Sequence, residues 1–262
     1  MSQTKAMIIE RHDQNTLLNA VTPFNMVSGS QDLSANEMFA ALDERIIAST
    51  LEALEAGQTH YVDVGGISPL REALAQYLNK LTGTRYAAST VVVAAGVQEA
   101  RFLTTQMIGE RFGRIAVPAV VYPGVLKAIG VRALPVDRIE VDESTMLPTL
   151  DGIRKVLEAG NRLLYLESPS RLTGAVFSAD AVSDIWALLT KYDAAAIWDQ
   201  GLAAWVDGDY VSLAQYEETP TRVATLGEAW DGMGLASWFI GYIAAPPEWC
   251  ASMISQKQIM AI

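Results

Sequence analysis

Cysteine and histidine are almost missing from this chain: one Cys, Cys250, and two His, His12 and His60, in 262 residues. A single thiol excludes a disulfide framework, and no CxxC or HExxH spacing offers a metal site. Two histidines cannot build a histidine cage, so no bound metal is expected. Long hydrophobic runs are missing too. The longest uncharged run, Gly232 to Pro247, is shorter than the roughly 20 residues of a membrane helix and is broken by three Gly and two Pro. Basic charge is scarce, with 19 Lys+Arg against 30 Asp+Glu and a net charge of -11. Such a chain repels phosphate at long range, which argues against a nucleic-acid partner. The opening stretch MSQTKAMIIERHDQ lacks the basic-then-apolar pattern of a secretion signal, and a cytoplasmic location is expected.

What is present is core-forming material: half of the residues are apolar and 19% are charged, which excludes disorder. Residues 1–35 are polar and irregular and read as an N-terminal arm; residues 36–262 read as one large domain. Ser34 with Glu37 forms a capping box, predicting a helix through Phe39, Leu42 and Ile46 that stops at Gly57. Ser68-Pro69 opens the clearest helix, with Leu70, Ala73, Leu74, Tyr77, Leu78 and Leu81 on one stripe and Gly83 ending it. Short β-type runs follow at Val91–Ala95, Arg114–Val117, Ala133–Val136, Arg162–Glu167, Ala194–Asp199 and Val223–Leu226. Helical stretches at Glu99–Phe112, Leu150–Ala159 and Ser178–Thr190 separate most of them. Continuous apolar strands alternating with helices define an α/β fold, a three-layer αβα sandwich with a largely parallel central sheet. Ligands on such sheets bind beyond the carboxyl ends of the strands.

Five segments stand in order along residues 35–250: His60-Tyr61 with Gly66 and Leu70-Arg71-Glu72-Ala73-Leu74-Ala75; Ala95-Gly96-Val97-Gln98-Glu99-Ala100; Val117-Pro118 then Tyr122-Pro123; Ser168-Pro169-Ser170-Arg171-Leu172-Thr173-Gly174; and Gly232 to Tyr242 followed by Ala245-Pro246. Together they resemble the class I/II aminotransferases of the aspartate aminotransferase superfamily, fold-type I enzymes whose cofactor is pyridoxal phosphate (PLP). The resemblance implies phosphate binding at Gly96, Val97 and Gln98, where backbone N–H groups open a helix. It implies ring stacking on Tyr122, pairing of Asp199 with the pyridine nitrogen, and a homodimer in which Tyr61 reaches the neighbouring subunit's cofactor. Taken alone, Gly96 serves equally as a tight turn, Asp199 as a helix cap, Tyr122 as a packing aromatic and Tyr61 as surface. His60 is read as an ordinary neighbour of Tyr61, and Cys250 as a packed thiol.

The resemblance also has gaps. The Schiff-base lysine position falls on Asp231, and a carboxylate cannot form an imine, so covalent PLP binding is not expected. The phosphate-binding arginine falls on Phe239, a phosphate-binding serine on Glu228, the asparagine at the ring's phenolic oxygen on Arg171, and a tyrosine on Leu202. A carboxylate about 4 Å from each phosphate charge repels it by roughly 4 kcal/mol at an effective dielectric near 20. Family members continue beyond the segment matching Met260-Ala261-Ile262, into the part that holds the substrate-carboxylate arginine. The expectation is a protein that is not a working transaminase, with a rebuilt small-molecule pocket made by Arg171, Glu228, Asp231 and Asp199. There the carboxylates are candidate acid–base groups and Arg171 an anion or carbonyl binder; the same charges also serve as a neutralising structural network. Two alternatives stand beside it: a PLP-binding aminotransferase acting on an amino acid, and a non-catalytic dimeric scaffold. For the scaffold, Trp230, Trp238, Phe239, Tyr242 and Trp249 would cover an interface, unless they pack in the core.

Overall fold

The computed structural model describes residues 42–229, 235 and 238–261, all within one compact unit, Phe39–Ile262. Among the described residues, seven strands form one sheet: β1 (Val91–Ala95), β2 (Ile115–Pro118), β3 (Val136–Ile139), β4 (Leu163–Glu167), β5 (Ala195–Asp199), β6 (Val223–Glu228) and β7 (Ile240–Ala244). Their order is β1-β7-β6-β5-β4-β2-β3. Pairs among β3, β2, β4, β5 and β6 are parallel, and β7 runs antiparallel to both its neighbours. Among the described residues, seven α-helices accompany the sheet: α1 (Glu44–Glu55), α2 (Ser68–Thr82), α3 (Gly96–Phe112), α4 (Pro123–Gly130), α5 (Leu150–Glu158), α6 (Ala179–Lys191) and α7 (Pro247–Ala261). No helix among the described residues is long and apolar enough to cross a membrane.

β4 and β5 read LLYLE and AAIWD and are buried along their whole length. That is why they are apolar at successive positions, since strand side chains alternate and both faces are covered. Leu164, Leu166, Ala196 and Trp198 join one core with Leu78 of α2, Ile153 of α5 and Ile185 of α6. Leu163, Tyr165, Ala195 and Ile197 join the other with Ala100 and Leu103 of α3, Val125 of α4 and Met253 of α7. The result is the expected three-layer αβα sandwich.

Two expected elements move. The run Ala133–Val136 is not the strand; β3 begins where it ends. Ala133 has φ +52° in a turn, and β3 is an edge strand reading VDRI, mostly open to solvent. An edge strand buries little, so its alternation is polar and the apolar run beside it misleads. The described part of the first helix begins at Glu44, with Asp43 accepting from the Arg45 N–H at 2.8 Å. Leu42 therefore precedes this helix instead of lying in it, while Ser34, Glu37, Phe39 and the boundary near residue 35 lie outside the described residues. Asp43 is the stronger local signal, because its carboxylate both caps the N–H and pairs with Arg45. In α2, Leu74 and Leu78 are buried whereas Tyr77 is 47% exposed. Cys250 is buried on α7, and burial pushes its thiol up to about 12, as befits a packing residue.

Candidate active site

The parallel strands β4, β5 and β6 each end in an acid. Glu167 and Asp199 are register partners, and Asp199 pairs with Leu226, two residues before Glu228. Side chains alternate along a strand, so all three carboxylates share the face on which Tyr165, Ile197 and Leu226 pack. That face looks at α3. A helix laid over three strand-end acids supplies the counter-charge: Arg101, 2% exposed, donates from Nε to Asp199 Oδ2 at 2.7 Å. Tyr165 donates its hydroxyl to the same oxygen at 2.6 Å, and the Gly201 N–H donates to Asp199 Oδ1 at 3.0 Å. Burial works against the Arg101 cation, but the Asp199 and Tyr165 oxygens outweigh it and hold the guanidinium above its ordinary pKa. Burial and the Asp199 charge keep the Tyr165 phenol well above its own.

Arg171 forms the second half of the cluster. It lies just beyond β4, after a cis Ser168–Pro169 peptide, and its Nη2 meets Glu228 Oε1 at 3.1 Å. A Cβ added at Gly201 would stand 3.2 Å from both Arg171 Nη2 and Asp199 Oδ1. Glycine there lets the two charge pairs close on each other. Both guanidinium groups also face Tyr122, their Cζ atoms 5.1 Å (Arg101) and 5.8 Å (Arg171) from the ring centroid. Each cation near the aromatic ring is favoured electrostatically.

Glu167 is buried, and its carboxyl is pushed up to about 7 by burial first and the Asp199 charge second, with Arg101 and Arg171 opposing. Glu228 is also raised, by burial against the pull of Arg171. The cluster is incompletely bonded: Arg101 Nη2, Arg171 Nε and Glu167 Oε1 are buried without a hydrogen-bond partner. Such atoms are rare in folded proteins and each costs about 1–3 kcal/mol when left so.

The start of α3 is crowded as well. Gly96 has φ +75°, and the Phe239 side chain packs 3.4 Å from where its Cβ would be. A Cβ on Gly241 would stand 2.6 Å from the Gly96 carbonyl carbon and 2.9 Å from Val97 N, so β7 presses directly on the helix start. Glu99 Oε2 takes the Ala95 N–H at 2.5 Å and Lys257 Nζ at 2.9 Å. Gln98 turns aside to donate to the Gly124 carbonyl at 3.0 Å.

Of the residues singled out in the sequence, Arg171, Glu228, Asp199, Val97 and Tyr122 come together. Gly96 and Gln98 lie at the adjoining helix start. Tyr61 is 94% exposed and makes no part of this cluster within one chain. Asp231 lies outside the described residues, as does Trp230. Of the other aromatics in that region, Tyr242 and Trp249 are buried, while Trp238 is 47% and Phe239 65% exposed. Arg101, Tyr165 and Glu167 escaped the sequence reading. A signal existed for Glu167: three consecutive strands, LLYLE, AAIWD and VATLGE, all finish in an acid. Arg101, an arginine within the small and apolar turns of α3, answers them.

The architecture is that of the aspartate aminotransferases. A solved Thermus thermophilus aspartate aminotransferase superposes with a TM-score of 0.80 at 23% identity, over 87% of this chain and 59% of that one. One from Thermotoga maritima gives 0.80 at 20%, over 87% and 61%. In sequence, the chain is 27% identical over 216 residues to a probable aspartate/prephenate aminotransferase of Aquifex aeolicus, 79% of this chain and 54% of the relative. It is 27% identical over 212 residues to an arginine–pyruvate transaminase of Pseudomonas aeruginosa, 79% and 53%. The chain thus spans about half the length of the curated relatives it matches. The family model for class I and II aminotransferases matches residues 30–262, and the chain belongs to that family.

Proposed function

We propose that this chain keeps the aminotransferase fold without the family's cofactor chemistry, its cofactor site rebuilt into a small-molecule pocket around Arg171, Glu228, Asp199 and Asp231. The observation that carries the reading is the Arg101–Asp199 pair against Tyr122. A PLP ring would need Tyr122's face and Asp199's carboxylate for its protonated nitrogen. Here a planar side-chain cation already holds both. At the helix start, Glu99 sits on the Ala95 N–H and Phe239 packs on Gly96, where a phosphate would need N–H groups and a cation. Arg101 and Glu99 thus stand in for the two charged ends of the cofactor, and the residues do not fit it. Asp231 at the lysine position agrees, since it offers no amine.

The second reading, a PLP-dependent aminotransferase of amino acids, draws support from the names of the relatives and from the retained positions of Gly96, Tyr122 and Asp199. Under either reading the chain works as a homodimer in the cytoplasm. The dimer is supported by the exposed Tyr61 beside Val62, and by Ile47, Leu51 and Leu54 of α1, also exposed. Titration with PLP, followed by its visible absorbance and by borohydride reduction, separates the readings. No bound chromophore is expected in the wild type. Arg101→Leu combined with Asp231→Lys should gain one. A wild-type protein that turns yellow with PLP would overturn the proposal.

A further inference from the structure

The three unpartnered polar atoms of the cluster have complementary needs. Arg101 Nη2 and Arg171 Nε are donors without acceptors, on two guanidinium groups that face one aromatic ring. Glu167 Oε1 is an oxygen without a donor, on a side chain within electrostatic reach of both. Arg101 is 2% exposed and Glu167 5%, so bulk water does not satisfy them. Two apolar side chains nearby in the fold are exposed: Leu172, next to Arg171 in sequence, by 47%, and Phe239, packed on Gly96 at the start of α3, by 65%.

We propose that this pocket binds a small monocarboxylate, whose oxygens accept from Arg101 Nη2 and Arg171 Nε while Glu167 faces the same ligand. This deepens the proposed function and rests on it, since a PLP ring on Tyr122 would exclude such a ligand. The charges select the class. Among the described residues Arg101 and Arg171 are balanced by Asp199 and Glu228, so a monocarboxylate leaves one net negative charge when Glu167 is neutral and two when it is ionised, and a dicarboxylate or phosphate adds one more. A planar carboxylate also matches the planar donor fork of a guanidinium. Glu167 is faced by Asp199 from β5, Arg101 from α3, Arg171 from the segment after β4 and Tyr165 on its own strand. Ligand charge near this set raises its proton affinity further, so binding takes up one proton.

Isothermal titration of the full chain with propionate, succinate and inorganic phosphate tests this between about pH 6 and 8.5. Propionate should bind at the acid end and weaken about tenfold per unit above about pH 7, with succinate and phosphate at least tenfold weaker throughout. Glu167→Gln should still bind propionate but lose the pH slope, which a merely structural role for Glu167 would not produce. Arg171→Lys, which keeps the charge and removes Nε, should lose about tenfold. If that variant fails to fold, the pH slope and its loss in Glu167→Gln decide alone. Absence of propionate binding at pH 6, phosphate binding as tight as propionate, or a slope that survives Glu167→Gln would each overturn the inference. A parallel PLP titration separates the levels: a bound chromophore removes the underlying reading, whereas no PLP and no propionate removes only this inference.

Discussion

The two faces of strands β4–β6 are built from the same three segments of chain and treat polar atoms in opposite ways. Under α5 and α6, Trp198 is fully buried and stacks on Phe177 at 5.9 Å. Its single polar atom donates to Tyr210 Oη at 2.8 Å, and Tyr210 in turn donates to the Ser168 carbonyl at 2.9 Å. Every polar group in that chain of contacts is satisfied. Under α3, one pleat away, Glu167, Asp199 and Arg101 are buried at comparable depth with Arg171 partly buried beside them, yet three of the cluster's atoms lack partners. The first face is organised for stability. The second keeps an unfavourable arrangement, as sites that act on something outside the chain do.

This contrast predicts that deleting the apolar keystone costs more than deleting the ionic one. Trp198→Ala removes a fully buried aromatic and should lower the unfolding free energy by about 4 kcal/mol in urea titration. A loss below about 1 kcal/mol would mean that the α5/α6 face is not the stability core. Arg101→Met keeps most of the volume but leaves Asp199 charged, buried and short of its cation, which should cost about 3 kcal/mol. The double variant Arg101→Met with Asp199→Asn removes the stranded charge and keeps an acceptor for Gly201 N. It should recover to within about 1 kcal/mol of wild type, because a buried ion pair adds little net stability over neutral packing. A double variant as unstable as the sum of the singles would break this view of the pair.

The sheet was readable because burial on both faces writes itself into composition: VVVAA, LLYLE and AAIWD carry no periodic interruption, and the helices between them carry caps and stripes. β3 was not, because an edge strand such as VDRI looks like a loop. Within the site, Arg171 and Glu228 could be paired from substitutions that occur together in a family pattern, and the two meet at 3.1 Å. Arg101 could not be paired that way. Its partner Asp199 lies 98 residues on, and only the laying of α3 across the strand ends brings them together. The raised carboxyl was invisible for a similar reason: the sequence shows Glu167 as one acid among 30, while its burial beside Asp199 is a property of the sheet register.

That register makes the third prediction. The folded-state pKa of Glu167, about 7, lies above its unfolded value near 4.5. Between those values the native state holds more protons than the unfolded one, so stability falls as pH rises through the window. The contribution is fully present below about pH 4.5 and lost above about pH 7, and it amounts to roughly 3 kcal/mol for a shift of this size. Glu167→Gln is neutral at every pH and lacks this slope. Its stability relative to wild type should therefore rise from about pH 5 to pH 8, measured by urea unfolding at fixed salt. A flat difference would place the titrating group elsewhere, with Glu228 next to examine because burial raises it too.

The smallest expected effect tests how Asp199 is held. Tyr165→Phe deletes the 2.6 Å hydrogen bond to Oδ2 but leaves the Arg101 pair and the Gly201 N–H in place. The phenol is fully buried, so no water replaces it, yet its removal leaves no charge unpaired and only a small void. A loss of about 1–1.5 kcal/mol is expected, the usual worth of one such bond. The contact between Arg101 Nε and Tyr165 Oη, at 3.4 Å, is too long to add much. If Tyr165→Phe instead costs as much as Arg101→Met, the hydroxyl and not the guanidinium is the main support of Asp199. Arg101 would then be free to leave Tyr122's face, and the stand-in for the cofactor ring would lose its anchor.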